Sequence, residues 1–285
     1  MTRHILIADS GSTKTDWALA PSTLNCQPST TTTQGLNPFH QSRDTILQIL
    51  HLELLPQMDV NNVNEIYFYG SGVRPELEPV MEQLLREVFP KAETIEAHSD
   101  MLGAARAVCD HNEGIASILG TGANSCLYDG EKIVGNTPAL GYILGDEGSG
   151  AVLGRRFLNA LYKGILSNEI KISFETKTGL TMASVIERVY RQPLANRFLS
   201  SLSEFIHHHL EDEAVRQLVI NNFDEFFQKN IVPYGRPDLP VSFVGSIAWH
   251  YQPQLQESAA RQGFRLGTVL KSPIDGLLRF HQVLS

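Results

Sequence analysis

One short pattern occurs twice and limits the fold more than any other feature of the chain. Ile5-Leu6-Ile7-Ala8 is an apolar run that enters the small polar turn Asp9-Ser10-Gly11-Ser12-Thr13-Lys14, after which Thr15-Asp16-Trp17-Ala18-Leu19 resumes with alternating polarity. About 110 residues later, Ile115-Ala116-Ser117-Ile118-Leu119 enters Gly120-Thr121-Gly122-Ala123-Asn124 and returns as Ser125-Cys126-Leu127-Tyr128. A period of two marks strands, and a glycine-rich turn between two of them marks a hairpin. Two such openings imply two related halves, although glycine turns also join unrelated hairpins and the two stretches are scarcely alike.

Each hairpin is followed by helices and strands. Thr45 to Leu55 has helical spacing and stops near Pro56, Ile66 to Tyr69 is an aromatic strand running into Gly70-Ser71-Gly72, and a helix follows from about Glu76 to Phe89. Thr94 to Ala97 is a short strand before the small-residue helix Met101 to Val108. In the second half, helical periodicity covers Val152 to Leu166, Met182 to Tyr190, Asn196 to Leu210 and Ala214 to Ile231. Strands are expected at Val241 to Val244 and Phe264 to Leu270, and a last helix from Ile274 to Leu284. The class is α/β, divided near residue 110.

Composition removes whole classes. With 285 residues, 42% hydrophobic and 19% charged, the chain can bury a sizeable core and is neither disordered, coiled-coil nor a disulfide scaffold. A net charge of -8 argues against nucleic acid and against a membrane surface as partner. Three cysteines, Cys26, Cys109 and Cys126, form no C-x-x-C pair and suit a reducing compartment. The apolar run before Asp9 is too short for a secretory signal, and no window approaches the roughly 18 apolar residues of a membrane span, so a cytoplasmic protein is expected.

The turns carry the chemistry. Small residues in the Asp9 turn let backbone N–H groups converge on an anion, and Asp9 at a strand end can hold hydrated magnesium opposite phosphates. The turn is neither a P-loop nor a dinucleotide fingerprint, since both motifs are missing and a strand follows. Gly120-Thr121-Gly122 offers a second cradle, with an ordinary glycine hairpin as its plain alternative. In Gly145-Asp146-Glu147-Gly148-Ser149-Gly150, at least one carboxylate is expected to cap the helix that follows, leaving the other for sugar hydroxyls. Ser99 or Asp100 is the N-cap of the Met101 helix, or Asp100 points into a cleft and takes a proton from an attacking hydroxyl.

Taken in order, Asp9-x-Gly-x-Thr-Lys-Thr, Gly120-Thr-Gly-x-Asn124, Gly145-Asp-Glu-Gly-Ser149 and Val244-Gly-Ser246 resemble the N-acetylglucosamine kinase branch of the superfamily of sugar kinases, heat-shock chaperones and actin, the BadF/BadG type of ATPase domain. The resemblance covers nearly the whole chain. It implies two ribonuclease-H-like, actin-like ATPase domains, residues 1–110 and 111–285, the second with a helical insertion and the last helix able to pack back on the first, with ATP and magnesium in an interdomain cleft. Carried over, Asp9 is the magnesium-side carboxylate and Gly11, Ser12, Thr13 and Lys14 surround the phosphates. Thr121 and Gly122 form the second cradle, and Gly245 and Ser246 lie near the nucleotide. Asp100 is the general base for the sugar's 6-hydroxyl, and Asn37, Asn124 and Asp146 touch the sugar. The implied partner is a small amino sugar, N-acetylglucosamine before glucosamine or N-acetylmuramic acid, with no nucleic acid or membrane and with a homodimer left open.

The chain departs from the pattern in three places. Leu140-Gly141-Tyr142 stands where human-type kinases have Trp-Gly-His, Ser10 stands at a common glycine, and the chain is shorter than the eukaryotic enzymes. Two other readings share the fold. One is an ATP-driven activator of a partner enzyme, holding an iron–sulfur cluster between subunits, for which the three cysteines show no local arrangement. The other is a sensor without catalysis, against which Asp9 and Asp100 both speak. His207-His208-His209 is a solvated helix face rather than a metal site, because successive helical side chains diverge by about 100°. Trp17 and Trp249 read as core, with Trp249 alternatively flanking the nucleotide.

Overall fold

The computed structural model describes residues 3–11, 13–21, 27–59 and 62–281; Ser12 and Cys26 lie outside them. The chain divides into two compact units. One comprises the chain up to Asn112, the hairpin tip Asp129–Ile133 and the segment from Ser272; the other comprises Glu113–Tyr128 and Val134–Lys271.

In the first unit, β1 (His4–Ser10), β2 (Lys14–Pro21) and β3 (Ser29–Gln34) form an antiparallel meander. Helix α1 (Arg43–Ile49), β4 (Glu65–Gly70), α2 (Glu78–Val88), β5 (Thr94–Ser99) and α3 (Asp100–Cys109) follow. Strands β4 and β5 add parallel to β1, giving the order β3-β2-β1-β4-β5. The pleat sends Leu6 and Ala8 to one face, where they join Trp17, Ile66, Phe68, Ile95 and Ala97 in a core closed by α1 and α2. On the other side α3 approaches β4 at Gly103, where a Cβ would lie 2.7 Å from that of Tyr69.

The second unit contains β6 (Gly114–Leu119), β7 (Ala123–Tyr128) and β8 (Ile133–Thr137), then α4 (Gly141–Leu144), α5 (Gly150–Tyr162), α6 (Asn168–Thr178) and α7 (Met182–Tyr190). Next come α8 (Ala195–Ser201), α9 (Ser203–His207), α10 (Glu213–Phe226), β9 (Pro240–Val244), α11 (Ser246–His250), α12 (Gln252–Arg261) and β10 (Arg265–Leu270). Its sheet runs β10-β9-β6-β7-β8, with β7 antiparallel to β6, β9 parallel to β6 and β10 parallel to β9. Read from the first strand of each, the two sheets have one topology. The core of this unit is aromatic, with Phe157, Phe174, Phe223, Phe226, Phe227 and Phe243 all at 0% exposure. The last helix, α13 (Ile274–Phe280), is grouped with the first unit, and Gly276 lets it approach α3 at Ala107.

Several elements differ from the sequence expectation. Ala123 and Asn124 belong to β7 and not to the turn. The expected helix over 45–55 ends as a π-helical turn at Leu50–Leu54, and the one over 214–231 continues past α10 as another at Phe227–Ile231. The stretch 196–210 is split at Leu202 into α8 and α9, and β8, α6 and α12 are additional. Trp17 is core, with Nε1 donating to Thr33 Oγ1 at 3.0 Å, whereas Trp249 is 45% exposed.

Candidate active site

In the first unit the candidate residues gather at the C-terminal ends of β1 and β5. The Asp9 turn is closed by the Gly11 amide donating to the Lys14 carbonyl at 2.9 Å, and Thr13 accepts from the Gly35 amide at 3.1 Å. Asp9 is half-buried, and its pKa is raised from 3.8 to about 7, first by desolvation and then by the charges of Asp100 and Asp16, with Lys14 opposing. Asp100 is raised too, by burial of its carboxyl group, against which the backbone N–H of Met101 works. It is the first residue of α3 and not its cap, since Ser99 Oγ accepts from the Leu102 amide at 3.3 Å. Two desolvated carboxylates therefore share one end of one sheet.

Lys14 lies at the edge of this group. Its ammonium meets Asp16 Oδ2 at 2.6 Å, because residues two apart in a strand share a face. Asp16, which the sequence did not single out, thus competes with any phosphate for the lysine. Ser10 is fully buried: its hydroxyl donates to the Leu36 carbonyl at 2.9 Å, accepts from the Leu36 amide at 2.9 Å and sits 2.7 Å from Thr15 Oγ1. It is a strut that fixes the loop carrying Asn37. The Asn37 Oδ1 accepts from the amides of Phe39 and His40 at 3.0 and 3.2 Å, and its carboxamide lies against Gly72.

In the second unit Thr121 and Gly122 form a turn closed by the Gly120 amide donating to the Gly122 carbonyl at 3.0 Å. The first two amides of α5 are spent on this turn, Gly150 N–H donating to Gly120 O at 2.8 Å and Ala151 N–H to Thr121 O at 3.2 Å. The helix is capped by Ser149, whose Oγ accepts from Val152 N–H at 3.2 Å, so neither neighbouring carboxylate is the cap. Glu147 instead meets Lys229 at 3.2 Å. Asp146 adopts φ 52° and accepts a hydrogen bond from the Ala123 amide, with Oδ2 3.1 Å from where a Cβ on Gly122 would sit. Burial raises its pKa to about 6. Asn124 Oδ1 accepts from Ser125 N–H and from Asn136 Nδ2 at 2.9 and 3.0 Å.

Gly245, at φ 124°, packs so close to the Leu119 carbonyl that a Cβ would run into it, which joins Gly245-Ser246 to the glycine turn. Ser246 begins α11 and lines a cavity of about 440 Å³ with Glu204, His207, His208, His250 and Tyr251. The three consecutive histidines part company: His207 Nε2 is 3.0 Å from His250 O, while His209 stacks on Phe205. Among the described residues no group of three or more His, Cys, Asp or Glu is placed to hold a metal, and no helix is long and apolar enough to cross a membrane.

No family model and no curated protein matches the sequence. Solved structures do. A Chromobacterium violaceum protein named a candidate N-acetylglucosamine kinase aligns with a TM-score of 0.72 at 16% identity, covering 98% of this chain and 99% of that one. The ethanolamine utilization protein EutJ of Carboxydothermus hydrogenoformans aligns with a TM-score of 0.51 at 14% identity, covering 99% and 89%. These two share the fold. A Porphyromonas gingivalis protein, also named a candidate N-acetylglucosamine kinase, is 48% identical with a TM-score of 0.94, covering 98% of each chain. At that identity and coverage, the chain belongs to the N-acetylglucosamine kinase-like family.

Proposed function

We propose that the chain is an ATP-dependent amino-sugar kinase, a phosphotransferase with an alcohol acceptor that phosphorylates the 6-hydroxyl of N-acetylglucosamine. The observation that carries this reading is the carboxylate pair, Asp9 raised to about 7 with Asp100 among the causes. Like charges this desolvated oppose one another unless a cation shares the site, and all-oxygen donors suit magnesium. Asp9 would hold that ion, which when bound neutralises charge on the phosphates of ATP. Asp100, oriented by the Met101 amide, accepts the proton of the attacking hydroxyl.

Gly11, Ser12, Thr13 and Lys14 are the phosphate contacts of the first unit, and Thr121 and Gly122 those of the second. Ser246, placed by Gly245, lines the 440 Å³ cavity, which suits the nucleoside end of ATP. Asn37 and Asn124 have Oδ1 engaged, which leaves Nδ2 to donate to sugar oxygens, while Asp146 accepts from sugar hydroxyls. The names of the Porphyromonas and Chromobacterium proteins support the same substrate class. The protein acts in the cytoplasm on this reading.

A coupled ADP-release assay over amino sugars and parent hexoses tests the proposal, with the phosphorylated carbon located by NMR. N-acetylglucosamine should stimulate ADP release, and Asp100→Asn should lower turnover by roughly 10²–10⁴-fold while ATP still binds. Undiminished turnover in that variant rules out Asp100 as the base. ATP hydrolysis indifferent to every sugar moves the protein to the activator or sensor class.

A further inference from the structure

Strands β1, β4 and β5 run parallel and in register: Asp9 pairs with Tyr69 and Tyr69 with His98, then Ser10 with Gly70 and Gly70 with Ser99. The strands end there, and the residues that follow them, Gly11, Ser71 and Asp100, leave side by side from the end of the sheet that carries Asp9. Ser71 is held there firmly. Its amide donates to the Ser10 carbonyl at 2.8 Å, and the turn closes with Val73 N–H donating to Gly70 O at 3.2 Å. The next residue, Gly72 at φ 80°, presses its α-carbon against the Asn37 carboxamide. Ser71 therefore lies at the sheet end that carries Asp9 and Asp100, next to the glycine that packs on Asn37.

Its hydroxyl is buried and makes no hydrogen bond to the protein. The neighbouring hydroxyls do: Ser10 and Thr15 bond each other and Leu36, and Ser99 caps α3. A buried hydroxyl without a partner costs stability, and alanine would fill the same turn without that cost. A serine is explained here if something outside the protein supplies the partner.

We propose that Ser71 is a further substrate contact, its hydroxyl hydrogen-bonding a hydroxyl of the acceptor sugar beside Asp100. The inference rests on the sugar kinase reading above. The test is Ser71→Ala assayed with N-acetylglucosamine and its deoxy analogues. KM for the sugar should rise about tenfold, the loss of one hydrogen bond, with KM for ATP unchanged and the melting temperature of the unliganded protein equal or higher. For one deoxy analogue the wild type and the variant should become equal, which a merely structural serine would not produce. An unchanged sugar KM, or a raised KM with a lowered melting temperature and no analogue that equalises the two, overturns the assignment. If Asp100→Asn is inactive while Ser71→Ala is indistinguishable from wild type, the inference alone falls. If the wild type phosphorylates no sugar, the kinase reading falls and takes the inference with it.

Discussion

Asp9 and Gly245 show how much a single position can carry. At Gly245 the backbone sits at φ 124°, where an L side chain is strained, and the space a Cβ needs is taken by the Leu119 carbonyl. Gly245→Ala should therefore cost roughly 1–3 kcal/mol, visible as a lower denaturant midpoint, and should weaken ATP binding by shifting the turn it supports. Ser10→Ala should also destabilise, since it strands the buried Leu36 carbonyl and leaves the Leu36 amide only its longer bond to Thr15 Oγ1; the expected loss is about 1–3 kcal/mol, with a raised sugar KM because Asn37 rides on that loop. The identity of these residues was legible in the sequence, but their partners were not. Lys14 looks like a phosphate ligand in a linear motif, and only strand geometry reveals that Asp16 sits two residues away on the same face. Ser149 takes the cap expected of a carboxylate because a hydroxyl directly before Gly150 reaches the Val152 amide without turning a charge inward.

Among the elements, α3 and α13 are tied by a buried relay. Arg106 donates to the Tyr69 hydroxyl at 2.8 Å, and that hydroxyl is 2.8 Å from Nε2 of His281, which stacks on Tyr67. Burial, then the Arg106 charge, lowers the His281 pKa from 6.5 to about 3, so the ring is neutral and Tyr69 donates to it. The unfolded chain takes up a proton near 6.5 and the folded chain does not. The stabilisation is therefore complete above pH 6.5 and is lost as pH falls toward 3. The difference in unfolding free energy between the wild type and His281→Asn, measured in urea, should fall as pH drops from 6.5 to 5, with a slope approaching about 1.4 kcal/mol per pH unit; the raised carboxyls of Asp9 and Asp146 act with the opposite sign in this window but equally in both proteins. The elements that escaped the sequence have weak patterns for physical reasons. In α12 the buried positions are Leu255, Ser258 and Ala259, too small or polar to signal a face. In α6, Ile170, Ile172 and Phe174 alternate as a strand would, and β8 is five residues with a central glycine.

At the scale of the whole molecule the two sheets repeat one strand order, which is what the paired hairpins at Asp9 and Gly120 had announced. That repetition was legible because a hairpin is local; the two parallel strands that complete each sheet come from distant segments, so their order was not. A ligand that binds only the folded protein should stabilise it by mass action: ATP with magnesium at a hundred times its dissociation constant should add about 2.7 kcal/mol, read as a higher melting temperature. An unchanged melt would count against nucleotide binding. The acceptor was the least legible feature, since a hexose pocket is shaped by a few side chains brought from many elements. The assignment of α13 to the first unit bears on how the protein is made. Leu277 and Leu278, at 0% exposure, finish packing in that unit, yet they leave the ribosome after every residue of the other one. The second unit can close during synthesis, whereas the first, its five strands already made by Ser99, waits with the place of α13 against α3 unfilled. A message truncated after Lys271 should therefore release a polypeptide with one half closed and the other a substrate for chaperones and proteases.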